Sequence, residues 1–154
     1  MKSRIHLGIW LLLVTGSASL LSCKKDPPVK SRTELLSTGT WKRTALTSNP
    51  AYDWYANGTS DTDILSYMWP CEKDNFDTYR TNGMIEVNEG PTKCDPSDPQ
   101  TWSVSWEFIK NETVILFEGS YEYIIDELTE TTLKLRGTFE ENGVTYTHYE
   151  AYRH

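Results

Sequence analysis

Residues 102–153 form a succession of short stretches in which apolar and polar residues alternate, and no other feature limits the fold as much. The stretches 102–109, 113–118, 121–126, 132–139 and 144–153 each keep the two-residue period of a strand with one covered face. Lys110-Asn111-Glu112, Gly119-Ser120 and Glu141-Asn142-Gly143 separate them and carry turn chemistry. Links this short join neighbouring strands as an antiparallel meander. Upstream, 76–80 and 84–88 flank Asn82-Gly83 and read as a hairpin. A further strand at 40–47 begins beside Trp41 and brings the expected number to eight. Residues 48–63, with Asn49-Pro50 and Asn57-Gly58, read as a long polar loop, and 89–100 as a second. The stretch 64–69 fits a strand or a helical turn equally well.

The alternation also assigns faces. Trp106 with Phe108, Val114 with Leu116, Tyr121 with Tyr123 and Ile125, and Leu133 with Leu135 are expected on one side; Glu107, Glu122, Lys134 and Arg136 fall on the other. One apolar face spread over many strands must be buried, and helical periodicity is nearly absent. The sheet is therefore expected to close on itself, as an all-β antiparallel barrel of about eight strands.

The N-terminus predicts an address. Lys2 and Arg4 precede an apolar run over 7–14, followed by Gly16-Ser17-Ala18-Ser19. That order is the order of an export signal, and the run is too short to span a bilayer. Leu20-Leu21-Ser22-Cys23 resembles the bacterial lipobox, which implies cleavage before Cys23 and a diacylglycerol on its sulfur. Each buried methylene adds about 0.8 kcal/mol of membrane affinity, so two or more acyl chains anchor stably. The expected organisation is a signal peptide over 1–22, a charged, proline-bearing tether over 23–34 and a barrel domain over 35–154. The expected location is the bacterial envelope, on the outer membrane, with the face left open.

Removing 1–22 takes two cations and no acid, so a net charge of −7 becomes −9. A surface so acidic argues against nucleic-acid binding, which needs a clustered basic footprint. Apart from Cys23, the cysteines are Cys71 and Cys94, and an even pair in an exported chain predicts a disulfide. No zinc spacing competes with it.

Several features together resemble the lipocalin-like domains of Gram-negative lipoproteins. They are Gly39-Thr40-Trp41 after Leu35-Leu36, Pro70-Cys71-Glu72-Lys73-Asp74-Asn75 leading into Phe76, Asn82-Gly83 ahead of Cys94, and the meander through Leu133-Lys134-Leu135. The resemblance implies a barrel whose interior holds a small apolar ligand. It also implies an arginine packed over the tryptophan, for which Arg136 and Arg153 are the candidates.

Candidate ligand-binding residues are the aromatics: Trp41, Tyr52, Trp54, Tyr55, Trp106, Phe108, Tyr121, Tyr123 and Tyr146. Aromatic faces supply apolar contact while their rims hydrogen-bond. The same side chains could instead simply fill a narrow barrel. Tyr52, Trp54 and Tyr55 on the 48–63 segment suit either a lid over the barrel mouth or a contact surface for an envelope protein. Catalysis finds no motif: His148 and His154 are the histidines after the signal, and His148 reads as structural or exposed. Asp95-Pro96-Ser97-Asp98 reads as a turn and not as a calcium loop. The expectation is a binding protein without catalytic residues, metal or cofactor.

Overall fold

A computed structural model describes residues 28–154, so Cys23, the signal segment and the tether up to residue 27 lie outside the described residues. The strands are β1 (Trp41–Tyr52), β2 (Asp61–Asp63), β3 (Phe76–Arg80), β4 (Met84–Asn88) and β5 (Thr101–Ile109), then β6 (Val114–Phe117), β7 (Tyr121–Leu128), β8 (Thr132–Glu141) and β9 (Val144–Arg153). Helices α1 (Arg32–Leu36), α2 (Ile64–Tyr67) and α3 (Pro70–Lys73) are each a turn or so long. All strand pairs are antiparallel. From β3 to β9 every strand pairs with its successor in sequence, and β1 pairs with both β3 and β9. Eight strands thereby close a barrel, and β2 lies beside β1 as a short addition.

The expected hairpin forms as read, with Gly83 at φ +80° in its turn. Asn142 and Gly143 both have positive φ, as the tight β8–β9 connection demands. The outer face is charged, with Lys134 to Glu127 at 2.7 Å and Arg136 to Asp126 at 3.0 Å.

Two expectations need correction and one open alternative is decided. First, β1 does not end at residue 47 but continues to Tyr52, so the long loop shrinks to 53–60. Pro50 lies in the strand without cost because the ladder to β2 is interrupted between Thr47 and Tyr52, and no donor is required of it there. Second, 64–69 is helical at its start, with Asp63 capping the Ser66 N–H at 3.1 Å. Third, Val114 and Leu116 do not face inward. Ile115 lies opposite Phe108 and Phe117 opposite Trp106, so Ile115 and Phe117 enter the core. Four apolar residues in a row leave β6 with no alternation to read.

Two β-bulges reset the alternation elsewhere. Arg43 pairs with Tyr152 but Ala45 pairs with Ala151, so Thr44 is the additional residue. Inward positions along β1 are accordingly Trp41 and Arg43, then Leu46 and Ser48. In β7 the register shifts between Ile125 and Glu127, which turns Glu127 outward to Lys134 and returns Leu128 to the core.

One end of the barrel is stoppered. Helix α1 starts from a capping box of Ser31 and Glu34 and buries Leu36 completely. Trp41, also fully buried, donates from its indole nitrogen to the Leu36 carbonyl at 2.8 Å. The His154 ring packs over that indole with centroids 3.9 Å apart. The expected arginine does not do this: Arg136 is paired outside with Asp126, and Arg153 donates to Thr132. The flat face that the tryptophan needs comes from an imidazole. Gly39 makes room for it, since a Cβ there would stand 2.6 Å from His154 Nδ1, and its φ is +76°.

Gly58 also has positive φ (+88°) but has open space around it. Gly58→Ala should therefore cost about 1 kcal/mol, the left-handed penalty alone. Gly39→Ala should cost at least about twice that. In a His154→Ala background the Gly39→Ala cost should fall to that of Gly58→Ala, as denaturant melts of the double-mutant cycle will report.

Candidate functional site

Between the stopper and the far rim the barrel holds a charged centre. Arg43 on β1, Asp77 on β3 and Glu150 on β9 all point inward, each two residues from an inward aromatic: Trp41, Tyr79 and Tyr152. The Arg43 guanidinium lies 3.2 Å from the Glu150 carboxylate and donates to the Tyr152 hydroxyl at 3.2 and 3.3 Å. That hydroxyl in turn donates to Glu150. Both ends of the arginine–glutamate pair are thus satisfied, the condition for keeping such a pair inside a protein. Asp77 differs. It makes no hydrogen bond or close ion pair among the described residues, although it faces the same space. Burial pushes its carboxyl up to about 6, against the pull of Arg43 and with a further push from Glu150.

The space itself is a cavity of about 310 Å³ walled by Arg43, Asp77, Tyr79, Trp102, Tyr123 and Glu150 among others. Trp102 is 41% exposed because β5 runs past the end of β6, which leaves a notch beside residues 101–104. A second cavity of about 330 Å³ shares Arg43, Asp77, Val87, Trp102 and Tyr152 with the first and adds Glu72 and Glu89. It opens where β1 and β3 are joined by only two residue pairs, Trp41 with Asp77 and Lys42 with Phe76. Helix α3 rims this opening, and the Cys71–Cys94 disulfide ties that helix to the β4–β5 loop. The expected bridge is therefore present; closing a loop of 23 residues stabilises a fold by about 3 kcal/mol in the chain-entropy model.

A third cavity, about 490 Å³, lies toward the other end of β8 and β9 and shares Tyr121 and Tyr123 with the first. His148 lines it, with Tyr52, Trp54 and Phe139 rings at 5.3, 6.0 and 4.7 Å. His148 is neither exposed nor satisfied: it is only 7% accessible, and its Nε2 has no hydrogen-bond partner among the described residues. Burial holds its pKa below the ordinary histidine value, with Glu150 opposing and Arg43 assisting. The tight approach of Tyr123 to β8 depends on Gly137, where a Cβ would stand 2.6 Å from the ring.

The aromatic candidates divide among these surroundings. Tyr121 and Tyr123 wall two cavities, and Trp54 walls the third. Tyr52 and Tyr146 are edge-on at 5.0 Å and belong to the same cluster as Phe139 and His148. Trp106 and Phe108 are core, with Trp106 bonded to the Met84 carbonyl at 3.3 Å. Trp41 belongs to the stopper while touching the second cavity. Tyr55 stands apart; it stacks on Trp69, accepts the Trp69 N–H at 2.9 Å and donates to Glu72, so it fixes α3. Sequence reasoning missed Arg43, Asp77, Tyr79, Glu150 and Tyr152. A signal existed, because Asp77-x-Tyr79 and Glu150-x-Tyr152 place a charge in phase with an inward aromatic.

No family model and no curated protein matches the chain.

Asp77 gives the protein a measurable pH response. A carboxyl raised in the folded state costs nothing below pH about 4, where both states hold the proton. The cost sets in as pH rises and is complete above about 6. Asp77→Asn removes it, so the stability difference between variant and wild type should shift in the variant's favour from pH 4 to 7, by up to about 3 kcal/mol. Arg43, Glu150, Tyr79 and His148 face the same interior and are common to both proteins, so the difference isolates Asp77. A flat difference across urea melts at pH 4, 5, 6 and 7 would refute the assignment.

Proposed function

We propose that this chain is a lipid-anchored envelope lipoprotein whose lipocalin-like barrel holds a small molecule and catalyses nothing. The observation that carries the binding half is unfilled space: cavities of about 310 and 490 Å³ lie along the barrel, at the scale of ligand pockets (about 300–1,000 Å³). Narrow eight-stranded barrels either fill with side chains or leave room for one small ligand, and the unfilled space supports the second reading. Its walls mix aromatic rings with an arginine, two carboxylates and an unpaired imidazole. The ligand that suits them is amphipathic, and a purely apolar one would leave the polar groups without partners.

The anchoring half rests on Lys2, Arg4, the short apolar run and Leu20-Leu21-Ser22-Cys23. The Cys71–Cys94 disulfide supports it, because such bonds persist in oxidising compartments.

Native mass spectrometry of the domain from Val29 onward, recovered from an oxidising compartment, tests the binding half. An adduct that disappears on denaturation is expected, and its mass would begin to identify the ligand. Cys23→Ser tests the anchor: the protein should move from the membrane pellet to the soluble fraction, whereas continued tight sedimentation with membranes would overturn it.

A further inference from the structure

We infer that the barrel interior recognises an organic cation, an arylalkylamine whose ammonium group sits against Asp77 and whose ring lies among the inward tyrosines. This deepens the small-ligand reading and rests on it. The charge inventory leads there. Arg43 already holds Glu150 and Tyr152 through its Nε and Nη2. Asp77 is left over, a part-buried carboxylate on the cavity wall with no donor among the described residues. A desolvated, unpartnered carboxylate is costly, and an ammonium placed beside it would recover the missing charge-assisted hydrogen bonds.

The surroundings favour the same charge. Tyr79, Trp102 and Tyr123 line the cavity, and aromatic faces attract cations. The neighbouring opening carries Glu72, Glu89 and Asp77 against Arg43, so its carboxylates outnumber its cations and a cation approaching it meets an attractive field. His148, the third recognition point, is an independent observation. It is more than nine-tenths buried, its Nε2 has no partner, and it lines the cavity beyond Tyr121 and Tyr123. Held neutral, it adds no positive charge to repel an amine, and it can hydrogen-bond a hydroxyl at the far end of the ligand.

The test uses the full chain and three probes of one shape: tyramine, 4-ethylphenol and 4-hydroxyphenylacetate, which are cationic, neutral and anionic at pH 7.5. By calorimetry, tyramine should bind at least about tenfold tighter than either of the others, about 1.4 kcal/mol in binding free energy. Asp77→Asn should erase that preference while leaving 4-ethylphenol within about twofold. Because Asp77 makes no bond that folding relies on, the variant should keep the wild-type near-ultraviolet circular dichroism. The wild-type order of affinities stands as a test without any variant. If 4-ethylphenol binds as well as tyramine, or 4-hydroxyphenylacetate binds better, the cation inference fails and the small-ligand reading survives. A tyramine preference that persists in Asp77→Asn would remove Asp77 from the site. If no probe binds and the purified protein carries no adduct, both readings fall.

Discussion

The barrel depends on what β1 does on its two sides. Along one edge it is laddered to β9 from Lys42 to Asn49. Along the other it meets β3 at only two residue pairs before the chain turns away into β2 and the small helices. Closure of the sheet therefore rests on a narrow contact at Trp41 and Lys42, directly above the stopper of Leu36, Trp41 and His154. The stopper stabilises the point where the barrel is most weakly sewn. It buries two large apolar side chains and satisfies the indole N–H, so the seam and the core reinforce each other.

Above that point the wall between β1 and β3 is made of something other than strand. Ile64 and Met68 are buried against Leu46, and Tyr52, Trp54 and Leu65 close around them. This second core is separate from the main one, which surrounds Trp41, Tyr79, Ile115 and Leu133. The charged centre lies against Tyr79 and Tyr152 of the main cluster. Arg43 and Glu150 are tolerated there because they hold each other and Tyr152. Asp77 is tolerated because the cavity, unlike packed side chains, leaves it space. Interior polarity and interior volume are thus two aspects of one arrangement.

Much of this was legible in the amino-acid sequence, and the reasons are local. The strands from Thr101 onward, the Asn82-Gly83 hairpin and the disulfide all announce themselves through alternation, turn chemistry or cysteine parity, which need only a few neighbouring residues to read. What escaped is set by distant partners. Nothing near Pro50 says that the ladder to β2 lapses beside it. The four apolar residues of β6 carry no phase, so only β5 and β7 decide that Ile115 and Phe117 face inward. Asp126 closes the readable alternation of β7 because a bulge there shifts the register. The inward charges were obscured by the usual equation of polar with outward, which holds on a surface and fails around a cavity.

The bulge at Thr44 has a consequence for how the interior is encoded. A β1 that kept Thr44 without the bulge would have the same composition and the same hydrogen-bonding groups. Counting two by two from Arg43 would then turn Ala45 and Thr47 inward and Leu46 outward, away from Ile64 and Met68. The chemistry inside this barrel is therefore written in residue number as well as in residue type, and a slip of one residue would edit the chamber as thoroughly as several substitutions.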